Sequence, residues 1–201
     1  MAQRFLLRKF RLLSEVAIGL SFCAFLILSL DFSEDKGYTH AQALKVLEAI
    51  DKVEATTAQP WNGPLREIVI TESELNSYIA YRIETEKEEI MKELRLKLFE
   101  KNRIEGKIHV DLRGQKIPQF IRSEMDFYFA ADLEVTYGNV KLDIKELFLE
   151  DQPIQPWIID LIISISARIS NTKASSISDW YELPYGIKDI KTQNGKAIFY
   201  Y

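Results

Sequence analysis

Cysteine and histidine are scarce in this sequence of 201 residues. The single cysteine is Cys23, so residues 24–201 can form neither a disulfide framework nor a thiolate metal site. The two histidines, His40 and His109, are far apart and lack the spacing of metal ligands. A Gly-x-Ser-x-Gly motif, a phosphate loop and a dinucleotide fingerprint are also missing. We therefore predict a protein without a metal or cofactor that is not an enzyme, although a carboxylate pair assembled from distant positions would leave no such motif.

An excess of positive charge is missing as well. The net charge of the chain is −4, and residues 1–30 contribute +3 through four cations and Glu15, which leaves −7 for residues 31–201. An acidic surface repels both nucleic-acid phosphates and anionic lipid headgroups. We therefore exclude nucleic acid as a partner, and we expect any lipid contact of residues 31–201 to depend on apolar grooves.

Charge is absent altogether from one stretch, Val16–Leu30, which follows the four cations. Counted from Leu12, a helix through this stretch is about 28 Å long, close to the bilayer core of about 30 Å. The flanking cations place the N-terminus inside the cytoplasm and Asp31 onward outside it. We predict a single-pass anchor in the inner (cytoplasmic) membrane, with the lipid bilayer as its partner. Its apolar positions include Val16, Leu20, Phe25 and Leu30.

Two alternatives to an anchor stay open in the sequence. A cleaved signal peptide has an apolar region of about 7–15 residues before a small-x-small site, whereas Leu28-Ser29-Leu30-Asp31 is a poor cleavage site. A lipoprotein signal would use Leu20-Ser21-Phe22-Cys23, in which Phe22 stands where a small residue is expected. Both alternatives fit the residues less well than an anchor does.

The sequence divides into four regions around this stretch. They are a basic cytoplasmic tail (1–11), the transmembrane anchor (12–30), a stalk helix with a loop (31–65) and an exported α+β domain (66–201). The helix of the third region begins at Thr39, with Gln42 at the spacing of a capping box, and ends near Ala55. It either packs on the domain or extends the anchor as a stalk.

A second helix begins with a clear capping signal. Thr71 can cap the helix, and Glu74 stands at the position that returns the hydrogen bond in a capping box. The apolar face of this helix consists of Leu75, Tyr78, Ile79 and Ile83. We interpret the charged run 84–89 as a solvated surface rather than a metal site, because no second cluster of ligands accompanies it.

Two long hairpins follow, in which apolar and polar residues alternate. This period of two predicts strands with one buried face and one solvated face. The first hairpin turns at Lys101-Asn102, and the second turns at Gly138-Asn139. The apolar phase slips by one residue near Lys145-Glu146, which predicts a β-bulge. Since the strand 126–137 would be about 40 Å long, we expect the antiparallel sheet to curl.

An apolar helix is predicted over residues 153–169, with Pro153 in its first turn. Its main face consists of Ile154, Trp157, Ile158, Leu161, Ile162, Ile165 and Ile169, and Ile159 and Ile163 lie off that face. A helix that is apolar over more than half of its circumference needs burial on several sides, so we expect it to lie in the concavity of the sheet. Asp160 and Arg168 are expected to pair with polar groups of other elements. A last hairpin across Gln193-Asn194-Gly195 closes the chain.

The order of these elements resembles a group of bacterial single-span exported proteins of unknown function. The resemblance covers residues 66–201 and rests on the capped helix at Thr71-Glu72-Ser73-Glu74-Leu75-Asn76, the long hairpins, the apolar helix and the closing hairpin. This layout is similar to half of a tubular lipid-binding domain. The resemblance implies a curved sheet wrapped on a helix, with an apolar groove for an acyl chain or a similar ligand. The expected fold class is thus α+β, with a transmembrane helix followed by long curved antiparallel hairpins packed around an apolar helix.

Two functions are compatible with the sequence. The first is a membrane-anchored extracytoplasmic protein that binds an apolar ligand, with lipid as the ligand class, in a groove between sheet and helix. The groove residues expected from the pattern are Phe127, Phe129, Leu142, Ile158, Leu161, Ile162 and Ile165. The second is a non-catalytic scaffold or assembly protein that holds an envelope protein as its partner through aromatic residues such as Trp180 and Tyr200.

Overall fold

The structure is a computed structural model that describes residues 38–57, 63–87, 89–115, 117, 119, 121–169 and 172–201. These residues form a mixed α+β fold with three α-helices and a long antiparallel sheet. The helices are α1 (His40–Thr57), α2 (Glu72–Thr85) and α3 (Trp157–Ile169), with a short 3-10 turn at Pro184–Gly186. The strands are β1 (Glu67–Thr71), β2 (Met91–Leu98), β3 (Arg103–Asp111), β4 (Glu124–Thr136), β5 (Asn139–Leu149), β6 (Gln152–Pro153), β7 (Tyr181–Glu182), β8 (Asp189–Gln193) and β9 (Lys196–Tyr200).

The predicted hairpins form the large sheet, in the order β2-β3-β4-β5-β6, with β7 added beside β5. The first hairpin turns at Lys101-Asn102, as predicted, and both residues have the positive φ that is common in tight hairpin turns. The second hairpin turns one residue earlier than predicted, at Tyr137-Gly138. Asn139 already pairs with Thr136, so it belongs to β5. The glycine thus occupies the second turn position, where a positive φ costs it nothing.

The predicted β-bulge is confirmed. Ala130 pairs with Glu146 and the next residue, Ala131, pairs with Ile144, so Lys145 is the extra residue on β5. A bulge bends its strand and increases the local twist. Together with the thirteen residues of β4, it curls the sheet.

The two faces of the large sheet differ in chemistry. Residues that pair directly across antiparallel strands lie on one face, and Leu94, Ile108 and Phe127 form one such apolar row. On the opposite face the carboxylate of Asp126 contacts the ammonium of Lys107 at 3.2 Å and Nδ1 of His109 at 2.8 Å. The sheet therefore has one side for a core and one side for water.

The apolar helix α3 begins at Trp157, not at Pro153, so the prediction of its start was wrong. Residues 152–153 form a short strand beside β5 instead. Pro153 and Pro156 explain the difference, because proline disfavours the α conformation of the residue before it and two such residues precede the helix. The Pro156 carbonyl then accepts the backbone N–H groups of Ile159 at 2.9 Å and of Asp160 at 3.3 Å, and the second of these bonds has the spacing of an α-helix.

The buried side of α3 also differs from the predicted one. Ile159 and Ile163 were placed off the main apolar face, yet they are among its most buried residues, whereas Ile158 and Leu161 are half-buried. The segment that follows α3 folds back along it: Ile177 donates its backbone N–H to the Asp160 carboxylate at 2.8 Å. The predicted pairing of Asp160 with a polar group outside α3 is thus present. Because this segment covers a second side of α3, residues on both sides of the helix are buried.

The first helix, α1, packs on the rest of the fold, which was the first of its two predicted roles. Thr39 caps it, since its hydroxyl accepts the backbone N–H of Gln42 at 3.2 Å. Val46 and Val53 are buried, and Gln42 accepts a hydrogen bond from Ser77 of α2 at 2.8 Å. The helices α1 and α2 therefore pack against each other.

The closing hairpin lies in a separate small sheet of order β1-β9-β8. Two backbone hydrogen bonds of 2.9 Å join Tyr201, which follows β9, to Arg66, which precedes β1. Two further bonds join the small sheet to the end of β2: Gly195 donates to the carbonyl of Leu98 at 2.9 Å, and the Thr192 hydroxyl donates to that of Phe99 at 2.6 Å. The two sheets thereby enclose a space with α1 and α2.

Candidate functional site

A cavity of about 230 Å³ lies where α1, α2, β2 and the small sheet meet. We call it the central cavity. Its wall consists almost entirely of aliphatic and aromatic side chains, among them Val46, Ile50, Leu75, Ile79, Leu96 and Phe199. Several of these residues are only half-buried, so the helices do not fill the space above the sheet. The cavity can therefore accommodate an apolar ligand.

The helix α2 supplies one side of the cavity for a reason that is visible in its sequence. Leu75, Ile79 and Ile83 are spaced by four residues, which places them one above another on a single face. Leu94, Leu96 and Leu98 of β2 alternate with polar residues and point to the same side of the sheet as one another. Both apolar rows line the central cavity.

Hydrogen bonds hold α2 against β2 at a fixed distance. The Asn76 side-chain amide donates to the carbonyl of Leu96 and accepts from its N–H, both at 2.8 Å. The Glu72 carboxylate accepts the N–H of Leu98 at 2.7 Å. Because β2 is the edge strand of the large sheet, these side chains take the place of a neighbouring strand.

The predicted capping box fixes where α2 begins. Thr71 accepts the backbone N–H of Glu74 at 3.3 Å, and Glu74 accepts that of Thr71 at 3.0 Å. The hydrogen bond from the Thr71 backbone lowers the pKa of Glu74 below its ordinary value, with smaller contributions from the Thr71 hydroxyl and Lys45. The anion also faces the positive end of the helix dipole. The first turn of α2, which carries Leu75 into the cavity wall, is therefore well anchored.

One corner of the central cavity is polar. Tyr78 and Arg82 of α2 and Glu86, the residue that caps the C-terminal end of α2, follow one another at intervals of four residues, and all three line the cavity. Arg82 donates from Nη1 to the Tyr78 hydroxyl at 2.7 Å and from Nε to Glu86 at 2.7 Å. Burial lowers the pKa of the Arg82 guanidinium, but Tyr78 and Glu86 outweigh this effect and raise it above its ordinary value. A permanent cation thus stands at the edge of an apolar space.

The residues predicted to line a groove lie in several places. Leu142 lines the central cavity. Phe127, Phe129, Ile162 and Ile165 are buried within the hydrophobic cluster shared by the large sheet and α3. Both phenylalanines are 0% exposed. Ile158 and Leu161 are half-buried. Of the seven, only Leu142 belongs to the wall of the central cavity, and a groove beside α3 stays a prediction.

The sequence interpretation missed α2 as the wall of a site. Its apolar face was recognised, but no site was assigned to it, and Arg82 was not singled out. The available signal was a cation at the four-residue spacing from Tyr78, on the stripe that carries Ile79 and Ile83. An arginine on the apolar side of an amphipathic helix is unusual enough to mark a boundary with a polar ligand or with solvent.

No metal centre is evident among the residues that the structure describes: they contain no group of three or more histidine, cysteine or acidic side chains placed to hold an ion. The contact between His109 and Asp126 lies on the charged face of the sheet, away from the central cavity. The chemistry available at the cavity is therefore apolar contact plus one cationic corner.

The predicted anchor positions, Val16, Leu20, Phe25 and Leu30, lie outside the described residues, as do the basic tail and residues 31–37 and 58–62 of the stalk region. Among the helices that are described, none combines the length and the apolar character needed to cross a bilayer.

Models of known protein families gave no match to this chain, and a search of curated proteins gave no significant match. Its function therefore has to be inferred from its own residues and their geometry.

Proposed function

We propose that this chain is a membrane-tethered extracytoplasmic protein that binds an apolar ligand, with lipid as the ligand class, in the central cavity. In this proposal, residues 12–30 anchor the chain in the inner membrane. The domain that follows lies outside the cytoplasm, with its long hairpins packed around α3. The observation that carries the proposal is the nearly continuous apolar wall shared by α1, α2 and both sheets.

The size of the cavity supports an alkyl group rather than a whole two-chain lipid. Its volume of about 230 Å³ exceeds the roughly 150 Å³ of an apolar cavity that stays dry and binds benzene. It is smaller than the roughly 300–1,000 Å³ of pockets for drug-sized molecules. Each methylene transferred from water into such a space contributes about 0.8 kcal/mol. The acidic surface of residues 31–201 does not attract anionic headgroups in general, so binding would depend on burial of the ligand's alkyl chain.

The test uses residues 37–201 produced in the periplasm and purified without detergent. Native mass spectrometry, followed by lipid extraction, should find about one lipid-class molecule per chain. Ala49 lines the cavity, so Ala49→Phe should fill it and abolish the bound mass. Ala55 lies on the same helix but is exposed, so Ala55→Phe is the matched control and should keep the ligand.

A bare protein mass, with no uptake of lipid from vesicles, would contradict the proposal. Equal loss of ligand in both phenylalanine variants would also contradict it, because the effect would then not come from filling the cavity. Circular dichroism of each variant separates loss of binding from loss of the fold.

A scaffold role is a second proposal, supported by exposed aromatic residues at one end of the large sheet. Tyr137, at the tip of the β4–β5 hairpin, is 97% exposed, and Trp180 is 48% exposed. They lie near one another along the sheet, since Tyr181 pairs with Val140. Tyrosine and tryptophan are enriched at protein interfaces. Affinity capture from membranes with the full chain and with a Tyr137→Ser, Trp180→Ser variant tests it, since recovery of the same proteins with both would exclude this surface.

A further inference from the structure

If the proposed function holds, the polar corner of the central cavity indicates the chemistry of the ligand's headgroup. Among the described residues that line the cavity, Arg82 and Glu86 are the charged ones. The Arg82 side chain is 15% exposed and that of Glu86 is 26% exposed. The cation is therefore largely shielded from water and borders the cavity, so a ligand whose chain fills the cavity can place its head beside it.

The groups at this corner can hold an oxyanion. Arg82 presents several N–H donors in a planar fork that matches a carboxylate. The Tyr78 hydroxyl accepts one hydrogen bond from Arg82, and a phenol that accepts a bond still has its own proton to donate. A carboxylate placed here would thus meet a guanidinium and a hydroxyl donor that already lie within 2.7 Å of each other.

Glu86 shows which kind of group the corner accepts. Its carboxylate occupies one side of the Arg82 guanidinium, with Nε donating to Oε1 at 2.7 Å. Glu86 follows the last residue of α2 and lies at the surface, so its side chain can turn into water, where its charge is hydrated. An incoming carboxylate would replace it with a group of equal charge and geometry.

We infer that the ligand is a single-chain anionic amphiphile of the fatty-acid class, whose alkyl chain enters the central cavity and whose carboxylate pairs with Arg82 in place of Glu86. A neutral amphiphile of the same length would make the apolar contacts without the ion pair. Anionic over neutral headgroup selection at equal chain length is therefore the property that distinguishes this inference from simple apolar binding.

The experiment uses the full chain in phosphatidylcholine nanodiscs at mildly alkaline pH, where a fatty acid is ionised. Photoreactive analogues of decanoic acid and of decanol, with the same diazirine on the chain, are crosslinked and mapped by mass spectrometry. Labelling of peptides from α2 and β2 reports occupancy of the cavity. Unlabelled decanoate should compete at about tenfold lower concentration than decanol, as expected for a partly solvated hydrogen bond to a charged group.

Two variants move the selectivity in opposite directions. Arg82→Gln should abolish the preference for the acid while decanol labelling persists. Glu86→Gln removes the competing carboxylate, so the acid should label more strongly and decanol should not change. Arg122 pairs with Glu150, away from the cavity, so Arg122→Gln is the matched control and should keep the wild-type preference. If Arg82→Gln does not fold, the change in acid labelling of Glu86→Gln still tests the inference.

Equal competition by acid and alcohol in the wild type, or no gain of acid labelling in Glu86→Gln, would overturn the inference while leaving an apolar site in place. Absence of labelling in α2 and β2 by either analogue would instead overturn the proposed function.

Discussion

Asn76 should be one of the most sensitive polar positions of this fold, because it closes the edge of the large sheet. Its amide makes two hydrogen bonds of 2.8 Å with the backbone of Leu96. Asn76→Ala removes both partners from a partly buried strand. A buried backbone group left without a partner costs about 1–3 kcal/mol. Since water can reach part of this edge, we expect a total loss of about 2–3 kcal/mol.

Thermal and urea unfolding measure this loss directly. For a domain of this size, the expected loss lowers Tm by about 5–10 °C. Asn76→Asp keeps the acceptor for the Leu96 N–H but loses the donor, so it should fall between alanine and wild type. The Asn139 side chain makes one exposed hydrogen bond of 3.3 Å, to the Tyr137 carbonyl in the adjacent turn, so Asn139→Ala is the matched control and should change Tm little.

The same substitution should also change association. An unpaired edge strand offers its backbone groups to another chain, so Asn76→Ala should form dimers or larger species in light scattering, and Asn139→Ala should not. An Asn76→Ala protein that unfolds within about 0.5 kcal/mol of wild type, the usual range of a neutral surface change, would refute the view that this side chain replaces a strand.

Gly106→Ala should destabilise the fold by about 1–3 kcal/mol, because a Cβ there would overlap the Phe129 ring; an unchanged urea midpoint would contradict this contact. The depressed pKa of Glu74 means that its ionised form contributes stability above about pH 4.3, which is lost as the pH falls through the lower folded-state pKa. The Tm gap between wild type and Glu74→Gln should therefore narrow on acidification, and a gap that is constant with pH would exclude the carboxylate as its source. Asp160→Ala should expose the segment 172–179, which the carboxylate holds by hydrogen bonds; limited proteolysis at the wild-type rate would show that other contacts hold it.

Local sequence signals predicted much of the framework correctly. The capping box of α2, the turn at Lys101-Asn102 and the bulge at Lys145 depend on a few neighbouring residues, whose hydrogen-bonding and steric preferences act within a few positions. Alternation likewise separated the apolar and charged faces of the hairpins, because the side-chain period of a strand is two.

Competition between local signals explains the incorrect details. Pro153 was interpreted as the first turn of a helix, but Pro156 follows three residues later, and the constraint on the residue before each proline delays α3 to Trp157. At the second hairpin, the pairing of Thr136 with Asn139 puts the turn at Tyr137-Gly138, so Tyr137 rather than Asn139 takes the positive φ that a local reading assigns to asparagine.

The sequence by itself determined which face of each hairpin strand is apolar, where α2 begins and where β5 has its bulge. The tertiary structure decided which apolar faces meet: Phe129 and Ile162 lie in a packed core, whereas α1 and α2 stop short of closing on β2 and the small sheet. Periodicity predicts that a face is buried, but it does not predict which surface covers that face or how completely. That outcome depends on contacts between residues far apart in the chain, such as Asn76 with Leu96 and Thr192 with Phe99, and these contacts set the space beside Arg82.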